Sequence, residues 1–396
     1  MIVIGQPGSR STATTNSANS PMNWLHACVF LAIILSGPVR AEVPFGWIGN
    51  GHTNAYALQA WTFELSGSLA AVNETIDVFN FRERLLTGNQ RLVGNTGDLK
   101  GSSGELRLGV WPSLELFYRE SEQELTVNLG EISSADIENL DGVLFSQREA
   151  YGAKWVFYDA VNQDLAYPWT SVALEFTRTR NRSRDFGGDL AGISTSPTSG
   201  VFFDPPSRFA LDRLQDDGWQ ARLLVSQALG ASSTATLWAG VGKATASSGT
   251  RWDVDIAVLR DAFFQTFDSE ETQFRVGASV NWQYFPRMPV QVGYEFIEIA
   301  ERSQLIQRGS SSFSRYLPGF LRGDNLADGV TRNHALYGSI NWWLNPNIYI
   351  SGVGKLLSNQ FTGVIPHYNN PLSGSFADVP SGYVEVKLGF RFAGIE

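Results

Sequence analysis

The chain has 396 residues, a formal net charge of −9 and no block of basic residues, so its composition argues against nucleic-acid binding. Its mean hydropathy is −0.12, and after residue 41 no apolar run approaches the roughly 18 residues of a membrane-spanning helix. A helical membrane protein is therefore not predicted. The 39 glycines and the 12% of aromatic residues suit strands and tight turns better than helices.

Residues 1–41 are predicted to hold a leader and a signal peptide. An apolar run, ACVFLAIIL, occupies residues 27–35, and residues 39–41 (VRA) follow it as a cleavage-site pattern. Cleavage there gives a mature chain that begins at Glu42. The alternative interpretation is that the apolar run is a buried segment of the mature protein.

Two further features belong to this leader. Residues 1–21 are rich in Ser, Thr and Asn and match no part of a signal peptide, so a translation start at Met22 is an alternative to a disordered leader. Cys28 is the single cysteine of the chain. Its removal with the signal peptide leaves no thiol for disulfides or for nucleophilic chemistry.

Residues 42–62 have no clear period and are predicted to be a periplasmic lead-in, ahead of one folded domain over residues 63–396. The first strand is placed at about residues 69–81. From there the chain repeats one plan of strand, short turn, strand and long polar connection. The predicted short turns are residues 111–113, 158–168, 230–233, 285–288 and 344–347, where Pro, Asn and Gly supply turn geometry. The predicted long connections are residues 123–141, 181–217, 246–270, 300–333 and 358–382.

The strands alternate with a period of two, which predicts one apolar and one polar face for each. Stretches of this kind occur at residues 171–176, 273–284, 290–296 and 336–342. Counting the strands between the turns gives about twelve, with a range of roughly 10–14. Short turns at one end and long loops at the other predict an all-β fold, a transmembrane antiparallel up-and-down β-barrel with periplasmic turns and extracellular loops.

Aromatic residues cluster within a few positions of the short turns. Tyr and Trp side chains suit the headgroup level of a membrane, because one end is apolar and the other polar. The alternative is a set of core aromatics that cap a soluble barrel. The clustered residues are Trp111, Trp155, Tyr158, Tyr167, Trp169, Trp282, Tyr284, Trp342 and Trp343.

The last strand, YVEVKLGFRF from Tyr383 to Phe392, has one face of Val, Leu and Phe and one face that carries both signs of charge. It resembles the closing strand of Gram-negative outer-membrane β-barrels, which ends in an aromatic residue. The resemblance is to the general porin-like class, and it identifies no specific family or substrate. It implies a location in the cell outer membrane, contact with membrane lipid, and recognition of this strand by the barrel-assembly machinery.

Charged residues of both signs fall on the predicted inner faces. One interpretation is a network of paired charges that fills and stiffens the interior, and the other is a polar pore in which these residues set ion preference. The lumen-facing candidates are Arg107, Glu115, Lys154, Glu175, Arg222, Arg275, Glu295, Glu385, Lys387 and Arg391.

Four arginines recur at every second position of one predicted strand and continue its lipid-facing side. At about 2.3 Å of height per tilted residue, they would reach the outer-leaflet phosphates, which guanidinium groups bind bidentately. The alternative is a solvated loop base. The candidates for lipopolysaccharide contact are Arg178, Arg180, Arg182 and Arg184.

The histidines of the mature chain, His52, His334 and His367, are far apart and lack metal-ligand spacing. No catalytic residue, metal site or cofactor is predicted. The main functional prediction is a narrow porin-like channel for passive transport of small polar solutes or ions. The alternatives are a lipid-modifying enzyme of the outer membrane, for which His334 near the outer rim is the residue considered, and a structural or surface-interaction barrel that acts through its extracellular loops.

Overall fold

The structure is a computed structural model of the chain, and it describes residues 54–72, 95–128, 135–138, 143–159, 170–196, 199–230, 232–253, 260–261, 264–285, 287–308, 332–358 and 381–393. The strands are β1 (Thr62–Val72), β2 (Asn95–Trp111), β3 (Leu114–Asn128), β4 (Ala135–Glu138), β5 (Val143–Asp159), β6 (Thr170–Ser183), β7 (Phe186–Ser196), β8 (Ser199–Gly230), β9 (Ser233–Trp252), β10 (Phe264–Phe285), β11 (Met288–Arg308), β12 (Arg332–Asn345), β13 (Ile348–Leu357) and β14 (Ser381–Ala393). The described residues contain no helix that is long and apolar enough to cross a membrane.

Twelve of these strands form a closed antiparallel barrel, in the order β1, β2, β3, β5, β6, β8, β9, β10, β11, β12, β13 and β14. The first and last strands close the sheet, from Thr62 opposite Ala393 to Ala71 opposite Val384. Closure pairs the backbone groups that a sheet edge would leave open, as a lipid-embedded sheet requires. The predicted fold class and the predicted number of barrel strands are confirmed.

The two remaining strands extend the sheet beyond the barrel at the long-loop end. β7 pairs with the first part of β8, where Phe186 lies opposite Leu211, and β4 pairs with β7. The later part of β8 pairs with β6, beginning with Arg182 opposite Gln215. The prediction of an irregular connection over residues 181–217 is therefore wrong, because most of that segment is strand.

Other strands also continue further toward this end than predicted. β9 and β10 remain paired as far as Gly249 opposite Thr266, and β10 and β11 as far as Phe264 opposite Arg308. Near this end both faces carry polar residues, such as the exposed Glu270 and the buried Glu271, so the sequence alternation ends while the backbone ladder continues. The predicted connections over residues 246–270 and 300–333 are consequently too long, whereas that over residues 358–382 agrees with the strand bounds.

The short turns agree with the sequence at four of the five places. β2 ends at Trp111 and β3 begins at Leu114, and the turns after β8, β10 and β12 fall at the predicted positions. Between β5 and β6, residues 160–169 lie outside the described residues. The first strand begins at Thr62 and not near Leu69, because Gly67 interrupts the apolar set and hides the alternation. Residues 73–81 of that predicted strand lie outside the described residues.

The barrel has an apolar outside and a polar inside. Along β9, Leu237 and Val241 are 64% and 49% exposed, whereas Thr234 and Thr236 are buried. Along β14, Val386 is exposed in the same way. This two-sided strand, with lipid-compatible side chains outward and polar ones inward, is the architecture of outer-membrane barrels.

Aromatic side chains lie outward near the short turns, as at Trp111, Trp155, Tyr158 and Trp342, which are all exposed. The prediction fails for Trp343, which is 4% exposed. Neighbouring residues of a strand face opposite sides, so Trp342 and Trp343 cannot both lie outside. Trp343 turns inward and its ring centroid lies 4.7 Å from that of Tyr349. Tyr167 and Trp169 lie outside the described residues.

Candidate functional site

Five charged side chains from five adjacent barrel strands meet inside the barrel near the short turns. Glu64 on β1 is the cross-strand partner of Arg107 on β2 and of Arg391 on β14. Glu115 on β3 is the cross-strand partner of Lys154 on β5. The strand register thus brings both signs of charge together on the inner face, and we call these five residues the short-turn network.

The short-turn network is closely hydrogen-bonded. The Nε and Nη2 atoms of Arg107 donate to the two carboxylate oxygens of Glu115 at 2.8 and 3.0 Å. The Nη2 of Arg391 lies 2.7 Å from Glu64 Oε2, and Arg107 Nη1 lies 3.4 Å from Glu64 Oε1. The Nζ of Lys154 lies 3.7 Å from Glu115 Oε2, and both side chains are 0% exposed. Because each buried charge has an opposite charge beside it, removal of one partner would leave the other uncompensated.

Further ion pairs lie higher in the lumen. Glu105 is shared by Arg119, at 3.1 Å, and by Lys387, at 3.3 Å. Glu175 accepts a hydrogen bond of 3.1 Å from the Nε of Arg222. These pairs join β2 to β3 and β14, and β6 to β8, so they fasten strands from the inside.

Glu295 on β11 is shared in the same way, by Arg275 at 3.6 Å and by Lys355 at 3.5 Å. Glu385 lies on the inner face of β14 and makes no ion pair with any described residue. The ten sequence-derived lumen candidates all lie on the inner faces of barrel strands, and nine of them hold ion pairs.

A cavity of about 330 Å³ lies in the lumen above the short-turn network, and we call it the mid-lumen cavity. Arg119, Arg148, Tyr337, Lys355 and Tyr383 are among the side chains that line it. Its lining carries six basic and four acidic residues. It is a polar space of the size of a small metabolite site.

Sequence reasoning missed several of these inward charges, including Arg119, Arg148 and Lys355. Arg148 lies on β5, which begins at Val143. The alternation of strand faces predicts its inward position, because residues an even number apart in a strand share a face. Arg148 lies two residues before Ala150 and six before Lys154, and both of these face inward.

Residues 54–61, which we call the lumen segment, lie inside the barrel at the short-turn end. The backbone N–H of Ala55 donates to Ser226 Oγ at 2.8 Å, and that of Leu58 donates to Glu115 Oε2 at 3.0 Å. Trp61 donates to the carbonyl oxygen of Gly109 at 2.7 Å. Inward side chains therefore satisfy the backbone of a segment that has no strand partner of its own.

Apolar contacts also hold the lumen segment. Ala55 packs in a buried cluster with Ala173, Leu224 and Trp238, all of which face inward. Burial raises the pKa of Tyr56 to about 12, so its hydroxyl is neutral at physiological pH. The sequence predicts a periplasmic lead-in over residues 42–62. The described part of that stretch, residues 54–61, lies at the short-turn mouth of the barrel, and the bounds of the lead-in stay a prediction.

The arginine run lies on the outer face at the long-loop end of β6. Asp217 on β8 pairs with two of its members, at 2.6 Å from Arg178 and 3.3 Å from Arg180. Arg184 lies 4.1 Å over the ring of Phe145, and Arg182 is exposed and makes no ion pair with a described residue. Lipopolysaccharide contact stays a prediction.

A groove of about 580 Å³ lies beside the arginine run. Four carboxylates line it, those of Asp216, Asp217, Asp268 and Glu270, against the two guanidinium groups of Arg180 and Arg182. This acidic surrounding weakens the attraction of the run for phosphate.

His334 lies exposed near the long-loop end of β12. Its Nδ1 lies 2.6 Å from the hydroxyl oxygen of Tyr294, and its ring lies 5.0 Å from that of Phe296. Among the described residues, no carboxylate is hydrogen-bonded to this ring to orient it as a base. His52 and His367 lie outside the described residues. Within the described residues, no group of three or more His, Cys, Asp or Glu side chains is arranged to hold a metal ion.

No protein-family model matches the chain, and no curated protein matches it. Among solved structures, the translocator domain of the autotransporter NalP from Neisseria meningitidis is similar, with 7% identity, a TM-score of 0.47, and coverage of 86% of this chain and 91% of that one. An outer membrane channel from Pseudomonas putida F1 gives 10% identity, a TM-score of 0.40, and coverage of 85% and 98%. LpxR from Salmonella typhimurium gives 10% identity, a TM-score of 0.35, and coverage of 83% and 99%. These likenesses are too weak to carry a function.

Proposed function

We propose that this protein is an outer-membrane β-barrel whose lumen conducts small polar solutes passively, and that the lumen segment narrows its periplasmic end. The observation that carries the proposal is the polar mid-lumen cavity of about 330 Å³ inside a closed barrel with an apolar outside. A membrane-embedded shell with a charged, solute-sized interior suits passage better than catalysis or adhesion.

The outer face supports the membrane location. The ten residues from Tyr383 to Phe392 rise about 23 Å along the barrel axis, at about 3.3 Å per residue and a tilt of about 45°. That height is close to the apolar band of about 25 Å in outer-membrane barrels. Val384, Val386 and Leu388 are exposed on the outer face over this height, while Lys387 and Arg391 lie inside.

The lumen segment supports a narrow passage over a wide one. It lies across the short-turn end, where Ala55 and Leu58 are 0% exposed and the short-turn network is buried around them. A solute that crosses the barrel must therefore pass beside this segment or displace it.

Single-channel recording of the refolded full chain in planar bilayers tests the proposal. We expect small conductance steps, and larger ones after residues 54–58 are replaced by an equally long Gly-Ser stretch. A reversible lock gives the matching measurement, with Ala55→Cys and Ser226→Cys in a Cys28→Ser background, since the two sites are in hydrogen-bond contact. The oxidised double-cysteine variant should show only the small conductance steps. After reduction it should also show transitions to larger conductance steps.

The single variant Ala55→Cys, in the same background, is the control for the oxidant itself. Absence of conductance in both the wild type and the Gly-Ser variant would reject the channel. The lipid-enzyme alternative is measured on the same protein with phospholipid and lipopolysaccharide vesicles. Release of fatty acid that is lost in His334→Gln would establish that alternative.

A further inference from the structure

We propose that the mid-lumen cavity is a binding site for a small oxyanion, a carboxylate or a phosphate, and that the guanidinium of Arg148 is its main contact. The inference rests on the proposed function, because it names the class of solute that the channel favours. It assigns a role to a residue outside the ten sequence-derived lumen candidates.

Arg148 differs from the other inward arginines in its pairing. It lies on the inner face of β5, opposite Ser121 on β3 and Asn181 on β6, and it lines the cavity. No carboxylate of the described residues lies within ion-pair distance of it. The other inward arginines of the described barrel strands each pair with a glutamate, and they are Arg107, Arg119, Arg222, Arg275 and Arg391.

One carboxylate and two guanidinium groups are electrostatic neighbours of Arg148, namely those of Asp216, Arg119 and Arg275, together with the phenol of Tyr383. Asp216 lies beyond ion-pair distance of Arg148 and accepts a hydrogen bond from the side-chain amide of Asn181. Two cations therefore face Arg148 within the lumen, and an anion among the three guanidinium groups would relieve their repulsion.

Two glutamates, Glu295 in the cavity lining and Glu105 outside it, are each shared by two basic residues, whereas Glu385 of the lining makes no ion pair with a described residue. Glu105 serves both Arg119 and Lys387, and Glu295 serves both Arg275 and Lys355. Across the whole lining, six basic residues face four acidic ones. The preferred solute is therefore an anion.

Neutral hydrogen-bonding groups complete the site. Ser121 is the cross-strand partner of Arg148, and the side chains of Gln123, Tyr337 and Tyr383 line the same cavity. A guanidinium group binds a carboxylate or phosphate through two parallel N–H donors, and hydroxyl and amide donors add further bonds. The volume of about 330 Å³ limits the ligand to a small molecule.

Isothermal titration of the full chain in detergent tests binding without any need for conduction. The probes are succinate and inorganic phosphate, with glucose as the uncharged control, and the two anions show which oxyanion is preferred. We expect Arg148→Gln to weaken anion binding by about tenfold, as the loss of a charged hydrogen bond implies. Arg332→Gln, at an exposed arginine of β12 that pairs with Glu298 at 2.9 Å and does not line the cavity, should leave binding unchanged. Equal binding by wild type and Arg148→Gln, or no binding of either anion by wild type, would overturn the proposal.

Conduction gives a second readout. Under a KCl gradient the wild-type reversal potential should indicate a preference for chloride, and Arg148→Gln should move it toward zero. Arg148→Lys, which keeps the charge, should restore most of the preference. Channels that conduct with no difference between wild type and Arg148→Gln would reject the anion site and leave the channel intact. Anion binding without any conductance would reject the channel and leave the site intact.

Discussion

Gly109 shows how a single missing side chain makes room for the lumen segment. A Cβ atom at this position would lie 2.0 Å from the carbonyl oxygen of Gln59 and 2.7 Å from that of Leu58. We therefore expect Gly109→Ala to displace the lumen segment and to destabilise the barrel by about 1–3 kcal/mol. Urea unfolding followed by tryptophan fluorescence measures the stability, and limited proteolysis of the folded barrel detects the released segment.

Gly352→Ala is the matched control for that change. It alters another strand glycine, but its added Cβ would meet nothing within 4 Å. Its stability and protease resistance should equal those of the wild type. If Gly109→Ala behaves like Gly352→Ala, the placement of the segment against β2 is wrong.

At the residue scale, the sequence predicts the face of a side chain better than its partner. Period-two alternation placed Arg107 and Glu115 inward, because parity depends only on the local strand. Their mutual hydrogen bonds depend on the register between β2 and β3, which parity does not determine. Strand alternation also predicts that Trp343 faces inward if its neighbour Trp342 faces outward. At this position, alternation predicts the face of the side chain better than proximity to a turn does.

At the scale of elements, Glu64 joins four strands at the seam of the barrel. It lies on β1 and contacts Arg107 on β2 and Arg391 on β14, and it accepts a hydrogen bond of 2.9 Å from the Tyr349 hydroxyl on β13. We expect Glu64→Gln to lower the free energy of unfolding by about 3–5 kcal/mol, because it leaves buried guanidinium charge uncompensated.

Glu270→Gln is the matched control, because Glu270 is exposed whereas Glu64 is buried. Glu270 pairs with Lys243 at 2.9 Å, but the two side chains are 55% and 52% exposed. Its removal should change stability by no more than about 1 kcal/mol. Urea titrations of both variants in the same lipid give the comparison. Equal losses would mean that the interior of the barrel is as well hydrated as its outer rim.

The elements that the sequence could not delimit are those beyond the membrane. Residues 181–217 carry Gly, Pro, Ser and Arg without alternation, yet most of them form β7 and the first part of β8. Phe186, Leu190, Phe209 and Leu211 are buried there. They are few and are separated by Gly, Asp, Ser and Arg residues, so no regular alternation marks these strands in the sequence. The lumen segment was missed for a related reason, since side chains of distant strands hold it and no local period does.

At the scale of the whole molecule, the outer surface is predicted to hold lipopolysaccharide at the end of β6. Arg182 and Arg184 have no carboxylate partner among the described residues, unlike Arg178 and Arg180, which share Asp217. Changing both to Gln should reduce the lipopolysaccharide that copurifies with the protein, and the difference should shrink at high salt because screening already weakens the contact.

Arg332→Gln is the control for that measurement, since Arg332 is an exposed arginine on β12, several strands away from the run, and pairs with Glu298 at 2.9 Å. Retention should fall in the double variant and not in the control. Equal retention in both would leave the arginine run as a solvated strand end.

The seam also determines the order in which the molecule is assembled. Glu64 and Arg391 are 327 residues apart in the chain, and Ala55 and Ser226 are 171 apart. The ring cannot close before the last strand arrives, whereas the contact of the lumen segment with β8 needs the chain only as far as Ser226. The segment is thus captured on the concave side of a curling, open sheet, and the final step encloses it. Contacts between residues far apart in the chain form slowly. Because the first and last strands must pair, closure of the barrel is expected to be the late, rate-limiting step of folding.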